Sequence, residues 1–101
     1  MPISASVSTL LKLFEQHNSE FAKKVGHSRA KGTFRRYVTV CKHIREFLPH
    51  TYKREDIPLK ELNLSFINDF EYFLRTEKKC RTNTIWGYMI VLKHIISIAR
   101  N

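Results

Sequence analysis

Glycine and proline are scarce in this sequence, with three of each among 101 residues. Turn-rich β folds depend on these two residue types, so their scarcity favours long regular elements over many short strands. Cysteine is scarcer still, because only Cys41 and Cys80 occur and they lie far apart in the chain. The simplest interpretation is a pair of reduced thiols in a cytoplasmic protein, with no disulfide framework.

Long apolar runs are missing too. No apolar segment approaches the roughly 20 residues that a membrane-spanning helix needs. The first six residues lack the charged region and the apolar block of a signal peptide. The histidines and cysteines show no CxxC or HxxxH spacing, so neither a metal site nor another cofactor is expected. We therefore expect a cytoplasmic protein that does not associate with membranes.

Apolar residues make up 43% of the chain, which is enough for one core and one domain spanning residues 1–101. Apolar positions repeat at intervals of three and four in four segments, as on one face of a helix. These segments run from about Ser8 to Val25, Thr33 to Leu48, Phe66 to Lys78 and Asn83 to Arg100. The pattern predicts an all-α protein, a compact bundle of four to five helices.

Hydroxyl-bearing residues stand where these helices are predicted to begin. Ser6 or Ser8 is the expected cap of the first helix, Thr33 of the second, Ser65 of the third and Thr82 of the fourth. Pro49 is expected to end the second helix. Residues 51–63 read as a loop with a short extended piece around Ile57–Leu59.

The net charge of +9 is distributed unevenly along the chain. Residues 23–54 hold ten basic side chains against the single acid Glu46, and residues 78–101 hold five basic side chains and no acid. Residues 55–77, which include the third helix, hold six acids and two basic residues. If the second and fourth helices share one side of the bundle, that side is positive and suits a polyanion such as duplex DNA.

The entrances to these two basic helices combine cations, hydroxyls and free backbone N–H groups, which is a favourable setting for phosphate. The entrances are Ser28–Thr33 and Lys78–Thr84, and the second includes Arg81. Further along the second helix, several polar residues lie off the apolar stripe, where they can reach phosphates or base edges in a major groove. These residues are Arg35, Arg36, Thr39, Lys42 and His43.

The order and spacing of several stretches resemble those of a known family. The sequence is similar to the core-binding domain, the SAM-like N-terminal domain, of phage-integrase-type tyrosine recombinases, and most of all to integrases of bacterial mobile elements such as conjugative transposons. The likeness extends from about Leu10 to Arg100. The stretches that carry it are Lys31–Tyr37, Lys42–Leu48, Asp56–Leu62, Phe66–Arg75 and Lys79–Thr84, followed by Tyr88, Leu92 and Lys93.

The resemblance implies a small helical bundle that packs against one side of the duplex at the core recombination site. It implies that a separate catalytic domain, which this chain does not include, closes around the DNA and carries out strand exchange for integration or excision. The chain itself is then not an enzyme. Its expected partners are double-stranded DNA and, through the full-length protein, other recombinase protomers. The expected setting is the bacterial cytoplasm, with the isolated domain a monomer.

The resemblance also implies specific DNA contacts on the second and fourth helices. The second helix and its entrance contribute Lys31, Gly32, Thr33, Arg36, Thr39 and His43. The fourth helix contributes Thr82, Asn83, Thr84, Gly87 and Lys93. This sequence departs from its relatives in the middle of the fourth helix, where Trp86, Gly87, Ile90 and Val91 stand in place of polar or basic residues. Such apolar residues suit contact with thymine methyl groups, with the catalytic domain or with a neighbouring protomer.

Two other classes of function fit the same features. One is a helical protein–protein interaction module that docks on acidic partners and need not respond to duplex DNA. The other is a helix-turn-helix repressor, which predicts a stable homodimer and a palindromic site.

Overall fold

Four α-helices make up most of the computed structural model, which describes residues 9–25 and 31–99. We label them α1 (Leu10–Val25), α2 (Lys31–Phe47), α3 (Leu64–Thr76) and α4 (Thr82–Ala99). A π-helical turn, Leu48–Tyr52, continues α2, and a 3-10 turn, Leu59–Glu61, precedes α3. The predicted all-α bundle is confirmed. Within the described residues, two extended segments pair at a single isolated β-bridge, between Thr9 and Pro58.

Four aromatic rings of the core cluster where the end of α2 meets α3. The Phe47 ring lies with its centroid 5.2–5.4 Å from those of Phe66, Phe70 and Phe73. The Phe66 and Phe70 rings meet it edge to face, which is a favoured arrangement of aromatic quadrupoles. All four side chains are buried. This cluster fixes α3 against α2, and α4 packs against α2 and α3 alike.

Helix α2 is buried on a broader arc than the sequence predicts, because α1, α3 and α4 all contact it. The spacing predicts a buried stripe made of Phe34, Tyr37, Val38, Cys41, Ile44 and Leu48. Val40 and Phe47, which lie outside this stripe, are fully buried. Val38, which the spacing places on the stripe, is 44% exposed. A helix that packs against neighbours on several sides is buried over a wide arc, so intervals of three and four no longer identify all of its buried residues.

Three of the predicted helix caps, Thr33, Ser65 and Thr82, are wrong. Helix α2 begins at Lys31, so Thr33 lies inside its first turn. Helix α4 begins at Thr82 itself, and the carbonyl of Arg81 accepts the first helical N–H bond, at 2.9 Å. Helix α3 is capped by Asn63 rather than by Ser65, since the Asn63 Oδ1 atom accepts the N–H of Phe66 at 3.0 Å. The Ser6 and Ser8 caps lie outside the described residues.

The start of α1 is held by a residue from a distant part of the chain. The Asp56 Oδ1 atom accepts the backbone N–H of Leu11 at 3.1 Å and that of Ile57 at 2.8 Å. The Ile57 carbonyl accepts the N–H of Leu10 at 2.9 Å. The segment between α2 and α3 therefore satisfies N–H groups that a helix start leaves without intrahelical partners.

Candidate nucleic-acid interface

Helices α2 and α4 meet in a seam that joins predicted contact residues from both. The Arg36 side chain of α2 lies over Gly87 of α4, and a Cβ atom added to Gly87 would lie 3.5 Å from Arg36 Cζ. A shallow cavity of about 300 Å³ opens beside this contact. Its lining is Arg36, Asn83, Thr84, Gly87 and Tyr88. The first four of these are predicted contact residues, so the fold brings the two predicted groups together.

The outward face of α2 is polar and cationic. Gly32, Thr33, Arg35, Arg36 and Lys42 are exposed, and Thr39 is half-buried. The Thr39 hydroxyl donates to the Arg35 carbonyl one turn earlier, at 2.9 Å. Within residues 9–25 and 31–99, no carboxylate lies within salt-bridge distance of Arg35, Arg36 or Lys42. These three cations are therefore available to a phosphate.

Three other cations of the basic segments form ion pairs within the fold. Arg45 is paired with Glu15 of α1, and Lys78, just after α3, with Glu46 of α2. Arg54 contacts Glu61 at 2.8 Å. The cationic face is therefore smaller than the charge count along the sequence suggests, and it is centred on Arg35, Arg36 and Lys42.

His43 occupies a different place from its neighbours on α2. Its side chain is only 15% exposed, and its ring lies 5.5 Å from the Tyr88 ring of α4. The Nδ1 atom is 3.7 Å from Glu46 Oε1. Burial, and then the nearby Lys78 ammonium, lower the pKa of His43 below its ordinary value. The lowered pKa favours the neutral imidazole, which packs in the α2–α4 seam.

The entrance of α4 is open to solvent. Arg81, Thr82, Asn83 and Thr84 are all exposed, and the first turn of a helix offers N–H groups and the positive end of its dipole. An Arg75 guanidinium nitrogen on α3 lies 3.3 Å from the Thr82 hydroxyl. Cations, amide and hydroxyl side chains and backbone donors thus surround one helix end.

Further along α4, the exposed surface is mixed. Lys93 is exposed. Trp86 is 72% and Ile90 56% exposed, whereas Val91 is 2% exposed and belongs to the core. The apolar set in the middle of this helix therefore divides into two surface residues and one core residue.

The family model described as the phage integrase SAM-like domain matches residues 9–101. The chain belongs to this family. The match confirms the resemblance from the sequence and agrees with the all-α fold. Neither a search of curated proteins nor a search of solved structures finds a match.

Around α3, charged side chains of the SAM-like domain form hydrogen bonds with other side chains of the domain. The Tyr52 hydroxyl donates to Asp69 Oδ2 at 2.7 Å, and burial together with this carboxylate raises the pKa of Tyr52 to about 12. Arg75 donates to Glu71 at 3.0 Å. Arg75, the one basic residue within α3, is therefore paired with an acid of the same helix.

The remaining sequence predictions concern the entrance of α2, the two cysteines, membrane-spanning helices and metal sites. Helix α2 begins at Lys31, but residues 28–30 of its entrance and the Lys31 side chain lie outside the described part of the chain. Cys41 and Cys80 are free thiols. In the described part of the SAM-like domain, no helix is long and apolar enough to cross a bilayer. In that same part, no three His, Cys, Asp or Glu side chains gather as metal ligands would.

Sequence reasoning missed Tyr88 as a lining residue of the cavity, because its helical spacing resembles that of a core position. The available signal is its position four residues after Thr84, which places both on the side of α4 that faces Arg36. Sequence reasoning also missed Glu46 as an internal partner of Lys78. No local pattern reveals that pair, since it joins two distant segments.

Proposed function

We propose that this SAM-like domain binds duplex DNA with the face formed by α2 and the exposed side of α4 as far as Lys93. It would thereby hold the core recombination site of a tyrosine recombinase during integration or excision. The observation that carries the proposal is the seam at Arg36 and Gly87. There Arg36, which has no carboxylate within salt-bridge distance among the described residues, adjoins the open entrance of α4. Strand exchange would be carried out by a separate catalytic domain of the parent protein, and other protomers would be met on the DNA.

The proposed binding separates into two kinds of contact. Cations of this face neutralise phosphates and release counterions, which supplies most of the affinity. These are Arg35, Arg36, Lys42, Arg81 and Lys93. Asn83 and Thr84 lie on the first turn of α4, with side chains that can bond to base edges. The domain alone is then a monomer in free solution that binds DNA weakly and loses affinity as salt rises.

Arg36→Ala tests this proposal most simply. Loss of one phosphate contact is expected to weaken duplex binding about tenfold, or ~1.4 kcal/mol. It should also reduce the slope of log K against log salt by about 0.9. Fluorescence anisotropy of a labelled duplex over a range of salt concentrations measures both quantities.

Lys12→Ala is the matched control, because Lys12 is an exposed cation on α1 outside the proposed face. Both variants remove one positive charge, so a general effect of net charge lowers their affinities equally. Equal losses for Arg36→Ala and Lys12→Ala would therefore refute the proposed face.

A further inference from the structure

Trp86 and Ile90 form an apolar patch on the outer surface of α4. They are 72% and 56% exposed, and side chains four residues apart on a helix are neighbours on one face. Asn83 lies one turn before Trp86 on the same face, and Lys93 lies one turn after Ile90. The patch is thus part of a surface whose other members are polar or cationic.

The size of the patch argues against a protein partner. A stable protein interface covers about 800 Å² on each partner, whereas one aromatic side chain offers at most ~250 Å². Two side chains fall well short of that area. Arg81 at the helix entrance and Lys93 farther along are exposed, so they favour a partner that is anionic on both sides of Trp86.

A DNA major groove has this combination of features. It is about 12 Å wide and admits a helix between two rows of phosphates, and its floor carries an apolar group, the C5-methyl of thymine. Asparagine side chains pair with adenine in the same groove, so Asn83 and the patch favour the same base pair. Val91, which is buried, takes no part.

We propose that Trp86 and Ile90 contact thymine methyl groups and make the domain selective for A·T pairs facing the first half of α4. This rests on the proposed function, since it needs α4 in the major groove. The two side chains supply specificity, while the cations around them supply affinity.

Replacing thymine by uracil tests the inference, since only the methyl group is removed. Duplexes enriched by the purified chain from a randomised library are resynthesised with deoxyuridine at each thymidine. Each contacted methyl group contributes about fourfold to affinity, so the wild-type chain should bind the uracil form at least fourfold more weakly. Trp86→Ala and Ile90→Ala should each reduce that ratio, and the double variant should bring it to one.

Tyr72→Ala is the control, because Tyr72 is an aromatic residue of α3 that is 69% exposed. It should keep the full thymine-to-uracil ratio. Thermal unfolding of all variants checks that the fold is retained, as expected for side chains so exposed.

Each contrary outcome has a distinct meaning. Equal wild-type affinity for the thymine and uracil forms would overturn the inference while leaving the proposed function in place, provided that Arg36→Ala still loses affinity. Enriched duplexes without thymine would overturn it as well. Failure to bind any duplex would overturn the proposed function and this inference with it. Sedimentation showing a dimer that Trp86→Ala dissociates would assign the patch to a second copy of the chain and overturn the inference.

Discussion

The α2–α4 face and the α3 side of this domain differ in whether their charged side chains meet a partner within the fold. On the α3 side, Arg75 meets Glu71 and Tyr52 meets Asp69. On the α2–α4 face, Arg35 and Arg36 have no carboxylate within salt-bridge distance among the described residues. Exposed ion pairs stabilise a fold by only ~0–1 kcal/mol each, so the two sides differ little in stability. They differ in what they leave for a partner to neutralise.

The largest expected change in stability comes from the segment that leads into α3. Asp56→Ala removes the oxygen that accepts the N–H groups of Leu11 and Ile57. Loss of a helix cap lowers the free energy of unfolding by about 1–2 kcal/mol. Chemical denaturation measures this, and duplex affinity should stay unchanged because Asp56 lies outside the α2–α4 face.

Glu55→Ala is the matched control for that variant, since it removes the same charge from an exposed neighbouring position. Its unfolding free energy should equal that of the wild type. If Asp56→Ala and Glu55→Ala unfold alike, the cap on α1 contributes nothing. If Asp56→Ala weakens DNA binding while remaining folded, the division between the two sides is wrong.

A smaller change in the opposite direction is expected at Gly87. Alanine is favoured over glycine inside a helix by up to about 1 kcal/mol, and the added Cβ would make an ordinary contact 3.5 Å from Arg36 Cζ. Gly87→Ala should therefore raise the unfolding free energy. It should also weaken duplex binding by a factor of about three, under 1 kcal/mol, because it narrows the cavity beneath the guanidinium.

Gly32→Ala sharpens this comparison, because a Cβ on Gly32 meets nothing within 4 Å. Gly32 is also on α2 and also among the predicted contacts. If both glycine variants bind DNA as tightly as the wild type, the room beside Arg36 has no part in binding.

The helices were predictable from the sequence because each keeps an apolar face at helical spacing. The long fourth pattern is the clearest case, with Ile85, Met89 and Leu92 buried as the spacing implies. Helix starts were predicted less well, because a cap depends on local geometry. Asn63 rather than Ser65 caps α3, and Asp56 supports α1 from 45 residues away.

The candidate face was predictable only in outline. The sequence gives the basic segments, and the fold shows which cations within them are paired. Arg45 and Lys78 belong to basic segments, yet each meets a carboxylate from another part of the chain. His43 belongs to the predicted contacts, yet it packs against Tyr88 in the seam. Such pairings arise from tertiary contact and leave no mark on local spacing.

Titration of the ¹⁵N-labelled chain with duplex DNA, followed by ¹H–¹⁵N correlation spectra, tests the central claim most directly. The account predicts that the amide signals of Arg36, Thr39, Asn83 and Gly87 shift on binding, while those of Lys60 and Asp69 stay in place. Shifts concentrated around α3, or spread evenly over all four helices, would contradict it.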